Sequence, residues 1–418
     1  MTGARLSLCA LLLGAGLLGG GAAYAASSKD EAAHDDQSYD EIARGHYLTI
    51  LGDCAACHTD PGGKPYAGAE AIGTPFGVVA SANITPDVET GIGSWSDDDF
   101  VSALQTGRGK DGVRLYPAMP YPYYAKMSRN DILAIRAYLD TLEPVHQQVK
   151  TDQLPFPFKL RFGMFFWNAL FFDGTPFEPV AGKSAEWNRG AYLVQGPGHC
   201  GACHTPKNFL GGDKSGDALQ GATLQGWFAP DLTGDKRNGL GDWSSDDIVA
   251  YLKGGHNARA AATGTMAQVI EDSTSRMRDA DLKAIATYLK DRPAPQQAAP
   301  QAIAGNDPAM KTGQAIYVDN CAACHGRDGA GVAKLFPPLK GSATVQSSDP
   351  TTLGRVLLHG TQNVATATAP TGPSMPAFGW KLTDQQAASV LTYIRNSWGN
   401  AASAVSAGQI GDLRAPSG

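Results

Sequence analysis

The chain has 418 residues, a formal charge of −6, 50 glycines, 26 prolines and 7 cysteines. That length implies two to four domains, and so much glycine and proline implies many loops between short helices. The mild, unclustered negative charge excludes a nucleic-acid partner. No segment beyond the leader is long and apolar enough to span a bilayer.

Residues 1–25 read as a secretory signal peptide. Arg5 is a short basic start, Leu6 to Leu18 is an apolar run, and Ala23-Tyr24-Ala25 fits a small-x-small cleavage site. The run falls short of the roughly 20 residues a spanning helix needs, which argues against an anchor. It contains Cys9, so six cysteines remain in the mature chain. A first unit is expected over residues 38–150. It opens on a helical Arg44-Gly45-His46-Tyr47-Leu48, passes Cys54-Ala55-Ala56-Cys57-His58, and closes on an amphipathic helix from Asp131 to Leu139. A connector over 151–183 carries an aromatic strip, Leu160 to Phe172. Packing between the first two units, docking on a partner subunit and insertion into a membrane interface are open roles for it.

The second unit, 184–292, repeats the order with Arg189-Gly190-Ala191-Tyr192-Leu193, Cys200-Gly201-Ala202-Cys203-His204 and a helix from Asp281 to Leu289. A Pro-, Ala- and Gln-rich stretch over 293–308 is expected to be semi-extended, leaving the next unit separately placed. The third unit, 309–402, has Gly313-Gln314-Ala315-Ile316-Tyr317, Cys321-Ala322-Ala323-Cys324-His325 and a helix from Asp384 to Ile394, followed by a tail over 403–418. Ser128 with Asp131, and Thr383 with Gln386, stand at capping-box spacing, whereas Arg278 holds the matching position in the second unit and weakens that cap. The first two units share one more phrase, a loop ending at Trp95 or Trp243 before a serine and acidic residues. Each Trp is a candidate for a crevice wall or for plain core packing.

The Cys-x-x-Cys-His pentads carry the chemistry. Two thiols three residues apart reach the two vinyl groups of one porphyrin, and the adjacent His supplies the proximal nitrogen to iron. A zinc site would need further ligands at paired spacing, and a redox dithiol does not need His next to it each time. Three pentads use Cys54, Cys57, Cys200, Cys203, Cys321 and Cys324, with none left over. The expected cofactors are three haem c, with His58, His204 and His325 on iron. Covalent haem of this type is attached outside the bacterial cytoplasm, in agreement with the leader.

The order of elements resembles the class I cytochrome c fold. The expected architecture is mainly α: three tandem class I cytochrome c-like domains, loop-rich, around covalent haems. In that fold a glycine lets an N-terminal helix cross a C-terminal helix carrying an aromatic residue. The resemblance pairs Gly45 with Tyr138, Gly190 with Tyr288, and Gly313 with Tyr393. It also implies a distal Met before each last helix: Met119, Met266 and Met375. From position 58 to 119, 204 to 266 and 325 to 375, the intervals are 61, 62 and 50 residues. Met127 and Met277 are rivals, but the third unit has Leu382 in their place, so core packing suits them. His/Met ligation raises the reduction potential and leaves no open site on iron, as single-electron transfer requires. His256 and His359 are candidates for propionate contacts. A proline carbonyl is expected to hold each proximal His.

Longer phrases carry a closer likeness: Gly52-Asp53-Cys54-Ala55-Ala56-Cys57-His58-Thr59, Leu115-Tyr116-Pro117-Ala118-Met119-Pro120-Tyr121, Gly196 to Pro206, and Asn396-Ser397-Trp398-Gly399-Asn400. Through them the chain resembles the three-haem cytochrome c subunits of bacterial membrane-bound alcohol, gluconate, sorbitol, fructose and glucose dehydrogenases. The resemblance implies a FAD- or PQQ-dependent catalytic subunit as partner, an optional small third subunit, and ubiquinone as acceptor. It implies peripheral attachment on the periplasmic side of the inner membrane. No dinucleotide fingerprint and no set of catalytic bases is present, so no catalytic site of its own is expected. A free periplasmic carrier or a terminal-oxidase cytochrome subunit is the alternative. A haem peroxidase would need an iron without Met.

Overall fold

The computed structural model describes residues 24–414 apart from positions 152, 296, 297, 299, 363 and 373, with side chains from residue 38 onward. The expected leader, except its last two residues, lies outside them. Eight helices position the sites: α1 (Tyr24–Leu51), α2 (Arg129–Leu139), α3 (Gly163–Phe171), α4 (Ala185–Gln195), α5 (Asp279–Lys290), α6 (Pro308–Asn320), α7 (Asp384–Arg395) and α8 (Ala407–Arg414). The chain is mostly helical and loop-rich. Its only strands among the described residues form three two-stranded antiparallel hairpins.

Helices α1 and α2, α4 and α5, and α6 and α7 cross in pairs. At each crossing a glycine removes a side chain for which there is no room. A Cβ on Gly45 would lie 1.7 Å from the Ala134 carbonyl oxygen, on Gly190 1.9 Å from that of Ala284, and on Gly313 2.2 Å from that of Ser389. The same positions abut the Cβ atoms of Tyr138, Tyr288 and Tyr393, the partners expected from sequence.

Local sequence sets the helix starts. Thr383 and Gln386 form a full capping box, while Arg278 makes no side-chain cap. Ser128 does cap α2 by accepting from the Asp131 backbone N–H. The Asp131 carboxylate does not complete the box, because it faces Arg44 at 2.6 Å and the Tyr192 hydroxyl instead.

The first two helix pairs share one hydrophobic core, running from Leu48 and Ile132 to Leu193, Leu282 and Leu289. The third pair has its own core around Tyr317, Val390 and Leu391. Residues 403–414 belong to that core: Ile410 in α8 is fully buried, and Arg414 donates to the Leu382 carbonyl at 2.9 Å. The third unit is docked on the second, contrary to separate placement. Arg237 donates to the Gln346 and Ala401 carbonyls, each at 3.1 Å, and the Thr352 hydroxyl exchanges two hydrogen bonds with the Phe228 backbone.

Candidate haem sites

Each pentad follows the first helix of a pair and forms a turn of helix of its own, over Cys54–His58, Gly201–His204 and Ala322–His325. That turn places two cysteines and a histidine around one side of the loop. All six cysteines are free. Burial pushes the Cys54 and Cys200 thiols up to about 12 and the Cys321 thiol up to about 11. A redox dithiol needs a depressed thiol pKa, so these thiols are poor candidates for that chemistry.

Burial lowers the pKa of all three histidines. His58 Nδ1 donates to the Ala82 carbonyl at 2.7 Å, His204 Nδ1 to Pro230 at 2.6 Å and His325 Nδ1 to Pro337 at 3.2 Å. Such a bond fixes the tautomer and aims Nε2 at a metal. The first unit departs from the expected proline carbonyl and uses Ala82.

A glycine supports each histidine from behind. The N–H groups of Gly68, Gly221 and Gly331 donate to the carbonyls of His58, His204 and His325 at 2.8, 2.8 and 2.9 Å. Their φ angles are +79°, +87° and +67°. A Cβ on Gly68 would lie 2.6 Å from the Ala82 carbonyl oxygen, the acceptor of His58. These glycines stand 10, 17 and 6 residues after their histidines, so no fixed spacing announces them.

The three expected distal methionines occupy different settings. Met119 lies in a turn, with its N–H on the Tyr116 carbonyl at 3.0 Å, partly buried against the shared core. Met375 lies in a strand pair opposite Thr361 and packs on the third core. Met266 is in the first turn of the Thr265–Asp272 helix, beside Ala262, Ile270 and Val364. Val364 comes from the third unit, so Met266 sits at a junction. Met127 and Met277 are 1% and 3% exposed inside the core, as packing residues are. Trp95 and Trp243 are partly buried against the same core. The His256 and His359 rings bond to the backbone carbonyls of Gly254 and Leu413.

The first two pentads meet. Tyr124 Oη donates to the Gly52 carbonyl at 3.2 Å, and His199 Nε2 reaches the same oxygen at 3.3 Å. Gly52 and His199 each stand just ahead of a pentad, and the Tyr124 and His199 rings meet edge-on at 5.7 Å. A second link is reciprocal. Tyr47 Oη of α1 donates to Asp281 of α5 at 2.7 Å, and Tyr192 of α4 bonds Asp131 of α2. Each aspartate also pairs with the arginine of its own unit, Arg189 and Arg44 respectively. The two Arg-Gly-x-Tyr segments thus clamp the units together with local two-fold symmetry. In the sequence these segments stand out by their glycines alone, and the aspartates that complete the clamp lie far from them in the chain.

Free cysteines three apart, imidazoles held at Nδ1 and a partly buried methionine in each unit form a donor set that fits covalently attached haem. Comparison with known proteins agrees. The cytochrome c family model matches residues 188–292 and 310–398. The chain is 43% identical to the gluconate 2-dehydrogenase cytochrome c subunit of Pantoea cypripedii, over 91% of each chain. It is 42% identical to the alcohol dehydrogenase (quinone) cytochrome c subunit of Gluconobacter oxydans, over 92% of this chain and 84% of that one. It is 38% identical to the fructose dehydrogenase cytochrome subunit of Gluconobacter japonicus, over 90% and 82%.

Proposed function

Because the chain belongs to the cytochrome c family that includes the cytochrome c subunits of gluconate, alcohol and fructose dehydrogenases, we propose that it is the three-haem electron-transfer subunit of a membrane-associated sugar or alcohol dehydrogenase. In this reading it is exported, folds as three tandem cytochrome c domains, and sits peripherally on the periplasmic side of the inner membrane. Electrons enter from a FAD- or PQQ-dependent catalytic subunit and leave to ubiquinone.

Haem c, bound at each pentad, supplies one-electron redox chemistry. Cys54 with Cys57, Cys200 with Cys203, and Cys321 with Cys324 hold it. His58, His204 and His325 give the proximal nitrogen, oriented by the carbonyls of Ala82, Pro230 and Pro337. Met119, Met266 and Met375 would supply the thioether sulfur to iron and would leave it no open site for small ligands. The contact of Gly52 with Tyr124 and His199 brings the first two pentads together, which suits passage of electrons between them.

The observation that carries this reading is the threefold recurrence of one proximal arrangement: a pentad, an Nδ1-to-carbonyl bond and a glycine behind it. Purification of the native complex from membranes tests it. A flavin- or quinone-dependent dehydrogenase subunit should copurify with a chain bearing three haems by intact mass. A chain recovered without such a partner, or with two haems, would overturn it.

A further inference from the structure

The connector between the first two units holds an apolar surface that the proposed electron path does not use. Seven of the 18 exposed large apolar side chains among the described residues fall between Phe156 and Leu170. Phe156, Phe162 and Leu170 are 72%, 69% and 69% exposed. They cannot fold away, because the opposite side of α3 is fixed to the body. Trp167 Nε1 donates to the Leu210 carbonyl at 2.9 Å, Asn168 accepts from Tyr121 at 2.5 Å, and Phe171 packs over Gly212. The outward rings brace one another, with Phe166 edge-on to both Phe162 and Phe165 at 5.4 Å.

The charge beside these rings is mainly positive, and the one neighbouring carboxylate, Asp173, is paired with Lys126 at 2.9 Å. Residues 153–172 contain Lys159 and Arg161 but no carboxylate, in a chain whose net charge is −6. Arg114 lies over the Phe165 ring at 5.3 Å and adds a third cation. Helix α3 has 9 residues, about 13 Å at 1.5 Å per residue, and cannot cross a bilayer. A short helix with outward Phe and Leu, preceded by Lys159 and Arg161 and with Arg114 over one of its rings, has the chemistry of an element lying in a lipid interface, where rings enter the acyl boundary and cations meet anionic headgroups.

We propose that the 156–170 surface seats the protein on an anionic phospholipid membrane. This rests on the proposed function, since a quinone-reducing subunit must reach a bilayer. The test is flotation of the full-length haem-loaded chain, without detergent, on phosphatidylglycerol-containing and on pure phosphatidylcholine vesicles. Wild type should float with the anionic vesicles and dissociate in high salt. The triple variant Phe162→Asp, Phe166→Asp, Leu170→Asp should lose at least tenfold in binding, with its haem spectrum unchanged. Trp380→Asp, at a residue 83% exposed outside this segment, should bind like wild type. Equal binding by wild type and the triple variant would overturn the proposal, as would failure of wild type to float. Loss of the dehydrogenase subunit instead of the vesicles would make the surface a protein interface and overturn it too. Vesicle binding without quinone reduction in the complex would count against the proposed function alone.

Discussion

Tyr47→Phe should loosen the clamp between the first two units. The hydroxyl donates to Asp281 at 2.7 Å and accepts from the Arg278 N–H at 3.0 Å, so its loss leaves the buried Asp281 carboxylate one hydrogen bond short and returns the exposed Arg278 N–H to solvent. Asp281 is 7% exposed. A hydrogen bond to a charged group is worth about 1.5–3 kcal/mol, and most of that should be lost. For a two-unit block of this size, this corresponds to a fall of about 3–10 °C in Tm. The loss should depend on pH. Burial raises the Asp281 pKa, but hydrogen bonds from Arg189 and Tyr47 and the charge of Arg189 outweigh it, and the net pKa is lowered. A depressed carboxyl stabilises the fold above its ordinary pKa and loses that contribution as pH falls through the folded value. The gap between wild type and variant should therefore be widest near neutrality and close below about pH 4. Calorimetry of the haem-loaded protein across pH reads both effects. An unchanged Tm at pH 7, or a gap that persists undiminished in acid, would refute the role given to Tyr47.

Met375→Ala should keep its haem, because Cys321 and Cys324 are untouched, but lower that haem's potential and admit carbon monoxide; a redox titration matching wild type would reject the ligand. Gly68→Ala forces a Cβ to within 2.6 Å of the carbonyl that His58 uses. Resonance Raman or a potentiometric titration should show the first haem alone perturbed, and a shift spread over all three would contradict the assignment. Asp53 has an Oδ1 without a hydrogen-bond partner, and burial, with the Asp272 charge adding, pushes its carboxyl up to about 7. The unfolded chain ionises first, so stability should fall as pH rises from the ordinary carboxyl range to about 7, then level off. Denaturant unfolding of Asp53→Asn should remove that slope, and a slope equal to wild type would rule Asp53 out.

The pentads are legible in sequence because the covalent attachment proposed for them demands fixed spacing: thiols three apart and His next to them. The helix crossings were legible for a similar reason, since a close approach leaves glycine little alternative. The glycines behind the histidines were not, because loops of unequal length deliver them to the same place. The reciprocal Tyr–Asp clamp was hidden as well. Asp131 reads locally as a cap residue, and only the packing of the two units turns its carboxylate toward Arg44 and Tyr192. Met266 shows the limit of spacing: its interval matches that of Met119, yet it lies on a helix beside Val364 of the next unit. Three roles are compatible with the sequence of the aromatic connector, and the structure gives it two faces, one packed between units and one exposed.

Spectroscopy of the native complex tests the electron relay most directly. Anaerobic addition of the partner's substrate should reduce all three haems, and a soluble ubiquinone analogue should reoxidise them. Replacement of His58, His204 or His325 should slow quinone reduction while leaving reduction of an artificial dye by the catalytic subunit largely intact. Substrate oxidation by the haem-bearing chain alone, or loss of dye reduction with the complex still assembled, would contradict a relay.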